Sequence, residues 1–266
     1  MKTHLCIFFM LCLVVSSLYA GAKKEVSQER LQEVVVYAYD SFVADWGPAP
    51  EIEKRFEEQT GYACEIISVG DAAQVMSRAV AEKNAPVADV LIGIDNNQVA
   101  QAKTLDILTP YKPVDADDII ASDIMLDEDW FCTPYDWSHF AIIYDTQSHI
   151  PAPQSLEDLT NPIYKQKLIL TDARTSTPGL GFVAWTIGAY GEDYLDFWRR
   201  LKPSILTIAP GWDSGYALFT AGEAPLVLSY TTSPAYHVEY DNTDRYEALV
   251  FPEGHIMQIE GAGLVK

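Results

Sequence analysis

The segment Val34-Val-Val-Tyr-Ala-Tyr39 is rich in β-branched and aromatic residues and predicts a β-strand. The next segment, Pro50-Glu-Ile-Glu-Lys-Arg-Phe-Glu-Glu-Gln-Thr60, predicts a helix that ends at Gly61. A second apolar run, Cys64-Glu-Ile-Ile-Ser-Val69, predicts the following strand. Because strands and helices alternate in this way in α/β proteins, we expect a mostly parallel sheet with helices on both faces.

The same alternation continues along the chain. Further strands are predicted at Ala88–Ile94, Phe140–Tyr144, Leu168–Leu170, Pro225–Leu228, Tyr246–Phe251 and His255–Gly263, and further helices at Asp71–Lys83, Ser155–Leu159, Gly181–Tyr190, Glu192–Leu201 and Trp212–Thr220. A looser acidic segment, Pro110–Glu128, interrupts the pattern, and the two α/β blocks join near residues 130–137. We therefore expect two lobes with a cleft between them.

Residues 1–22 have the features of a cleavable export signal: a basic start at Lys2, an apolar stretch at 5–15 and the small residues Ala20-Gly-Ala22. The apolar stretch is too short to span a membrane, and an uncleaved amphipathic start is the alternative. Removal of the signal takes away Lys2 and changes the formal net charge from -20 to -21. A chain this acidic repels nucleic acid and anionic membranes, although acidity also serves solubility.

Two cysteines, Cys64 and Cys132, remain after removal of the signal, and spacing alone does not decide whether they pair. The sequence has no Cys-x-x-Cys pair and no Cys/His cluster, so a structural zinc site is not expected.

Four clusters of aromatic and polar residues follow predicted strands or begin predicted helices, where open α/β sheets bind ligands. The first contains Tyr39, Asp40, Asp45 and Trp46. Ring faces combined with negative charge suit a delocalised cation. A capping Asp beside core aromatics is the structural alternative.

The second cluster, Arg174-Thr-Ser-Thr-Pro-Gly-Leu-Gly181, follows a predicted strand and begins a helix. Free amides and hydroxyls at a helix start bind anions or polar groups. An N-cap with Pro at the first helical position is the structural alternative, but three successive hydroxyls exceed what one cap needs.

The third cluster is Trp212 at another helix start, where the ring either stacks on a ligand or belongs to the core. The fourth, Ser229-Tyr-Thr-Thr-Ser-Pro-Ala-Tyr-His237, follows a buried strand and is expected to turn at Pro234. It is either one wall of a cleft or an ordinary polar turn. No Gly-x-Ser-x-Gly motif or other catalytic set is present, so the four clusters favour binding over bond breaking.

Four blocks of this sequence together resemble the periplasmic thiamine-binding proteins of ABC importers. They are Tyr37-Ala-Tyr-Asp-Ser-Phe-Val-Ala-Asp-Trp-Gly-Pro48, Ala88-Asp-Val-Leu-Ile-Gly-Ile-Asp-Asn-Asn97, Arg174–Gly181 and Ser229–His237. The blocks agree in order and approximate spacing, and the resemblance extends from Val34 to Lys266.

The resemblance implies a two-lobed α/β fold of the type II periplasmic binding protein class, each lobe a mostly parallel sheet flanked by helices, with its carboxyl-terminal part missing here. Lobe 1 would span residues 23–135, with 248–266 returning to it, and lobe 2 residues 136–247. A periplasmic monomer without a cofactor or metal is expected. It would carry thiamine, thiamine monophosphate or thiamine diphosphate to an inner-membrane permease.

The ligand contacts that the resemblance implies fall on the clusters described above. They are Tyr39, Asp40, Trp46, Asp71, Ala72, Ser176, Thr177, Trp212, Tyr230, Thr231, Thr232, Ser233 and Tyr236. Asp40, Asp45 or Asp71 would balance the thiazolium charge. Ala72 stands where the family is expected to have glycine, which puts one backbone contact in question.

Two alternatives stay open at this point. One is a binding protein of the same fold for ferric iron, held by Tyr230 and Tyr236, or for a polyamine. The other is an enzyme similar to thiaminase I, which needs an activated cysteine. Cys132, near the joint between the blocks, is the conceivable nucleophile.

Overall fold

The computed structural model describes residues 33–266. The predicted export signal at residues 1–22 and the start of predicted lobe 1 lie outside the described residues. Within residues 33–266, no helix combines the length and the apolar character that crossing a bilayer requires.

The first part of the chain follows the predicted alternation. It contains strands β1 (Glu33–Ala38), β2 (Ala63–Ser68) and β3 (Val90–Asp95), and helices α1 (Asp40–Val43), α2 (Ala49–Thr60) and α3 (Ala72–Ala81). Gly61 ends α2 in the left-handed conformation, with φ 74°, which glycine adopts without a steric penalty. The three strands and both long helices predicted here are confirmed.

Short elements occupy the acidic segment and its surroundings. They are α4 (Val99–Thr104), β4 (Leu108–Thr109), α5 (Ala116–Ile119) and a 3-10 turn at Ser122–Ile124. The long strand β5 (Thr133–Asp145) follows and includes the predicted strand Phe140–Tyr144.

The remainder of the described chain returns to alternating strands and helices. The strands are β6 (Leu168–Thr171), β7 (Ile205–Ala209), β8 (Leu226–Tyr230), β9 (Tyr246–Leu249) and β10 (Met257–Val265), and the helices are α6 (Thr177–Tyr190), α7 (Tyr194–Leu201), α8 (Trp212–Thr220) and α9 (Ser233–Tyr240). The short helix expected at Ser155 is a 3-10 turn at Glu157–Thr160. The half-exposed strand β7, at one edge of the sheet, was not predicted.

The turn expected at Pro234 is wrong, because Pro234 lies in the first turn of α9. Proline suits that position, since its fixed φ is helical and its missing N–H would have had no partner within the helix. The polar run after β8 therefore continues as a helix, and this places Tyr236 and His237 on regular structure.

The strands form one ten-stranded sheet in the order β2-β1-β3-β10-β5-β8-β6-β7, with β4 paired to β10 and β9 to β5. The expectation of a mostly parallel sheet is wrong. Strands β1, β2 and β3 pair in parallel, as do β6, β7 and β8, but β5 and β10 run antiparallel to each of their partners. Long strands that cross the centre of the sheet, rather than βαβ units, cause this mixture.

Apolar side chains pack on the sheet in separate clusters. One surrounds Trp185, Phe182 and Phe197, beneath α6 and α7. Another surrounds Leu91 and Ile94 of β3 and includes Val75 of α3. Helices α3, α6 and α7 thus bury one face against the sheet, and burial of this kind is the dominant favourable contribution to folding.

Both described cysteines are free. Cys132 is fully buried, and burial raises the pKa of its thiol to about 12. A thiol in this environment stays protonated and unreactive at neutral pH.

Helix α6 allows a test of packing with two glycines that have opposite surroundings. A Cβ added to Gly181 would overlap the buried ring of Phe140, whereas nothing lies within 4 Å of one added to Gly188. We expect Gly181→Ala to lower the free energy of unfolding by about 1–3 kcal/mol, the usual cost of overpacking. Gly188→Ala should raise it by about 0.5–1 kcal/mol through helix propensity.

Urea unfolding monitored by circular dichroism measures both changes. Similar effects of the two substitutions would contradict the packing of α6 on β5.

Candidate functional site

A cleft of about 1100 Å³ lies over the central strands β5 and β10 of the sheet. Its aromatic lining consists of Tyr39, Phe42, Trp46, Tyr135, Trp137, Trp212, Tyr216, Tyr230 and Tyr236, and its acidic lining of Asp40, Asp71, Asp136, Asp213, Asp241 and Glu260. None of the described residues that line the cleft is Lys or Arg. The cleft therefore combines many ring faces with negative charge.

The first predicted cluster lies along this cleft, except for Asp45. Tyr39 follows β1 and precedes α1, so the end of the strand directs its ring into the cleft. Asp40 begins α1, where a carboxylate is favoured, and accepts a hydrogen bond from the Ser68 hydroxyl. Asp45 is exposed and does not line the cleft.

Asp71 joins two helix starts. Its Oδ1 atom accepts a hydrogen bond from the Ala72 amide at 2.6 Å and caps α3 together with Gln74. Its Oδ2 atom accepts one from the Trp212 amide, 2.7 Å away, at the start of α8. Burial raises the pKa of Asp71, and the two amide hydrogen bonds oppose that rise.

Gly211 makes this junction possible. A Cβ at Gly211 would come within 2.8 Å of Asp71 Oδ2, so a side chain there would push the carboxylate away from α8.

The second predicted cluster lies beside Asp71. Thr177, at the start of α6, lines the cleft, whereas Ser176 is fully buried next to it. The Ser176 hydroxyl has no hydrogen-bond partner, yet it is near enough to Asp71 to lower the pKa of that carboxyl. Ala72, also buried, does not line the cleft and takes part through its backbone amide.

Trp212 forms the end of a column of stacked rings. Its ring lies 4.9 Å from that of Tyr216 at an angle of 20°, and the Tyr216 ring is stacked on His237 in turn. The Trp212 indole N–H donates to Ser229 Oγ at 2.8 Å. Helix α8, strand β8 and helix α9 thus hold the ring in one orientation.

The fourth predicted cluster contributes Tyr230, Thr232, Ser233 and Tyr236 to the cleft, but not Thr231. The amide of Thr231 donates to the His139 carbonyl at 2.9 Å and so continues the pairing of β8 with β5. At the rim, the rings of Tyr236 and Trp46 lie 6.1 Å apart, and 42% and 59% of these residues, respectively, are exposed.

Glu260, Tyr135 and Gln258 are cleft residues that sequence reasoning missed. Glu260 Oε2 accepts hydrogen bonds from the hydroxyls of Tyr39 at 2.8 Å and Tyr135 at 2.6 Å, and Gln258 Nε2 donates to Oε1 at 2.9 Å. Glu260 could have been found from the sequence, because it is an acidic residue within the otherwise apolar strand predicted at His255–Gly263.

Glu260 is nearly buried, with 7% of its surface exposed. Burial, followed by the charge of Asp136, raises its pKa to about 8. The cleft can therefore attract cations and hold planar rings, and burial favours the neutral form of the Glu260 carboxyl at its floor.

The geometry bears on both alternatives. Cys132 does not line the cleft, and its raised pKa is the opposite of what a nucleophile needs. Tyr230 and Tyr236, the pair named for ferric iron, both line the cleft, but residues 33–266 contain no group of three or more His, Cys, Asp or Glu side chains arranged to hold a metal ion beside them.

Comparisons with known proteins identify the family of this chain. The family model described as "Bacterial extracellular solute-binding protein" matches residues 51–265. The thiamine-binding periplasmic protein of Brucella abortus biovar 1 (strain 9-941) is 37% identical over 251 residues, covering 94% of this chain and 74% of that protein. The Escherichia coli (strain K12) protein of the same name is 38% identical over 229 residues, covering 86% and 69%.

A solved structure titled "Periplasmic thiamin binding protein" superimposes with a TM-score of 0.79 and 36% identity, covering 88% of this chain and 72% of that one. An apo ferric ion-binding protein A from Pasteurella haemolytica, at 19% identity and a TM-score of 0.69, shares the fold alone. The resemblance to periplasmic thiamine-binding proteins is confirmed, and the chain belongs to the bacterial extracellular solute-binding protein family.

Proposed function

We propose that this protein captures thiamine and its mono- and diphosphate in the cleft and delivers them to an ABC permease in the membrane. The observation that carries the proposal is the lining: nine aromatic and six acidic residues, with no Lys or Arg among the described ones. Thiamine combines a permanently cationic thiazolium ring with a flat aminopyrimidine, so it matches this lining in both charge and shape. The relatives' names point to the same ligand.

Aromatic rings would hold the two rings of the ligand. Each contact between a cation and a ring is worth about 0.5–2 kcal/mol. Trp212, fixed by Tyr216 and Ser229, would form a rigid stacking face. Trp46 and Tyr236 at the rim would close over the ligand from two sides.

Carboxylates would contact the cationic ring of the ligand, and a helix start would contact its hydroxyethyl or phosphate end. Asp71 is the best-placed counter-ion for the thiazolium, because it is held by two helix starts within the lining. Thr177 and the buried Ser176, at the start of α6, would take the hydroxyethyl or phosphate end, since a helix start favours an anion. Tyr230, Thr232 and Ser233 would supply hydroxyls, whereas Thr231 and Ala72 would act indirectly, because their amides already donate to the His139 carbonyl and to Asp71.

The family supports a wider scheme. Residues 33–135 and 248–266 would form one lobe and residues 136–247 the other, and the lobes would close on the ligand as in type II periplasmic binding proteins. Export by the segment 1–22 would place a monomeric protein in the periplasm, where the permease receives the ligand. Polyamine and ferric ligands remain the competing members of this fold class.

Isothermal titration calorimetry of the purified protein tests the ligand. We expect thiamine to bind at micromolar or lower concentration and spermidine not to bind in the same range. Tight binding of spermidine, or a visible tyrosinate absorption band on addition of ferric citrate, would contradict the proposal.

Trp212→Ala should weaken thiamine binding by about 1 kcal/mol or more, because a stacking face is lost. Tyr111→Ala is the matched control: Tyr111 is an aromatic residue with 52% of its surface exposed and does not line the cleft. Its affinity should equal that of the unsubstituted protein. Equal affinities for the unsubstituted protein, Trp212→Ala and Tyr111→Ala would show that Trp212 does not contact the ligand.

Asp71→Asn tests the counter-ion. Loss of the charge should weaken thiamine binding by about 1.5–3 kcal/mol, the usual value of an interaction with a charged partner. Asp45→Asn removes a charge that lies outside the cleft lining and should leave the affinity unchanged. If Asp45→Asn weakens binding and Asp71→Asn does not, the counter-ion is assigned to the wrong residue.

A further inference from the structure

Three acidic residues occupy facing positions on adjacent strands at the floor of the cleft, where Glu260 and Asp136 line it, and directly beneath it, where Asp95 is buried. Glu260, in the middle of β10, is paired with Asp95 of β3 on one side and with Asp136 of β5 on the other. Residues directly opposite in adjacent strands have Cβ atoms about 4.5–5.5 Å apart, and like charges at such positions repel. The sheet register thus forms a row of three acids, which we call the carboxyl row (Asp95, Glu260 and Asp136).

A bulge in β5 completes the surroundings of the row. Glu260 is opposite Asp136 and the next residue, Gly261, is opposite Pro134, so Tyr135 is the extra residue of β5. A bulge allows adjacent side chains to reach the same face of a sheet. Tyr135 can therefore donate to Glu260 although Asp136 lies in the carboxyl row.

The partners of the row donate hydrogen bonds but bring no positive charge. Glu260 accepts the three hydrogen bonds described above, from Tyr39, Tyr135 and Gln258. Asp95 accepts two more, from the backbone amide and the side-chain amide of Asn97, at 2.9 and 3.1 Å. Gln258 Nε2 lies between Glu260 Oε1 and Asp95 Oδ2, at 2.9 and 3.4 Å. Neutral donors of this kind stabilise charge less than an ammonium or guanidinium group would.

The titratable groups that face Glu260 come from the strands beside β10, which are β3 and β5, and from the next strands out, β1 and β8. They are Tyr39 after β1, Asp95 of β3, Tyr135 and Asp136 of β5, and Tyr230 of β8. Each of these side chains is neutral when protonated and negative when deprotonated, so none of them can compensate the charge of Glu260. Burial raises the pKa of Asp95 to about 6, and partial desolvation raises that of Asp136, although its side chain is exposed along the cleft.

We propose that the carboxyl row holds a proton on Glu260 while the cleft is empty and releases it when a cationic ligand enters. The inference rests on the proposed function, since it takes the ligand to be a cation. The only bond that breaks is O–H of the Glu260 carboxyl, and the proton passes to solvent water and buffer. Ligand charge then replaces proton charge at the floor of the cleft, and the Tyr39 and Tyr135 hydroxyls stabilise the carboxylate that forms.

This exchange would favour cations over neutral molecules of the same shape. A neutral ligand has no charge with which to compensate the ionised row, so the proton would stay in place. A cation binds more tightly as the pH rises, because binding coupled to the loss of one proton gains up to about tenfold in affinity per pH unit.

Calorimetric titration of thiamine at pH 7 in two buffers of different ionisation enthalpy counts the protons released. We expect about one proton per thiamine, and an affinity that rises about threefold to tenfold per unit between pH 6.5 and 7.5. A thiamine analogue whose charged ring nitrogen is replaced by carbon should bind without releasing a proton.

Glu260→Gln should abolish the release, whereas Glu247→Gln, an exposed Glu→Gln control on β9, should retain it. Asp136→Asn should reduce the release, because it removes one of the like charges. The proton count on the unsubstituted protein does not depend on whether these variants fold.

The ligand-free protein provides a second measurement. Glu260 has a pKa that is raised in the folded state, so its contribution to stability is present below its ordinary value near 4.5 and is lost as the pH rises through about 8. Glu260→Gln should flatten this decline in the free energy of unfolding, and an unchanged decline would overturn the inference.

The outcomes separate the two proposals. Thiamine binding without proton release overturns the inference and leaves the proposed function standing. Absence of thiamine binding overturns both. Equal proton release by thiamine and by its uncharged analogue also overturns the inference.

Discussion

The position of β10 between β3 and β5 is the constraint on which the rest of the structure depends. This strand arrives last in the described chain, yet it occupies the centre of the sheet and runs antiparallel to both neighbours. Without it, the strands β1 to β3 would present an unpaired edge. Its insertion also brings Glu260 between two other acids at the floor of the cleft, so the element that completes the sheet also shapes the site.

The cleft contains features that are unfavourable for stability alone. Glu260 is buried without a cation beside it, and the buried Ser176 hydroxyl has no partner. Desolvated polar groups of this kind cost free energy when they lack full compensation. Such local conflicts are expected where a protein keeps a surface ready for a ligand. Those of Glu260 and Ser176 lie in or beside the cleft, whereas the unpartnered hydroxyls of Ser148 and Tyr190 belong to residues outside its lining.

Local patterns predicted most of the helices and strands, because burial of one face imposes a regular spacing on each element. Gly61 ends α2 and Asp71 caps α3, as expected from their chemistry. The patterns failed where the structure of a segment depends on contacts with distant parts of the chain. Pro234 is compatible with both a turn and a helix start, and packing of α9 selects the helix. Strand direction was also mispredicted, because a strand's own residues do not record which strand it pairs with.

Residue types and their order were therefore sufficient for the α/β class, the family and most of the cleft lining, including Tyr39, Asp71, Trp212 and Tyr230. They specify chemistry that acts over a few neighbouring residues. The mixed sheet, the junction of Asp71 with the start of α8 and the carboxyl row required the tertiary structure. The junction and the carboxyl row join residues more than a hundred positions apart, and the antiparallel pairs of the sheet join residues more than eighty positions apart. Their contact depends on strand register and packing, which no local pattern contains.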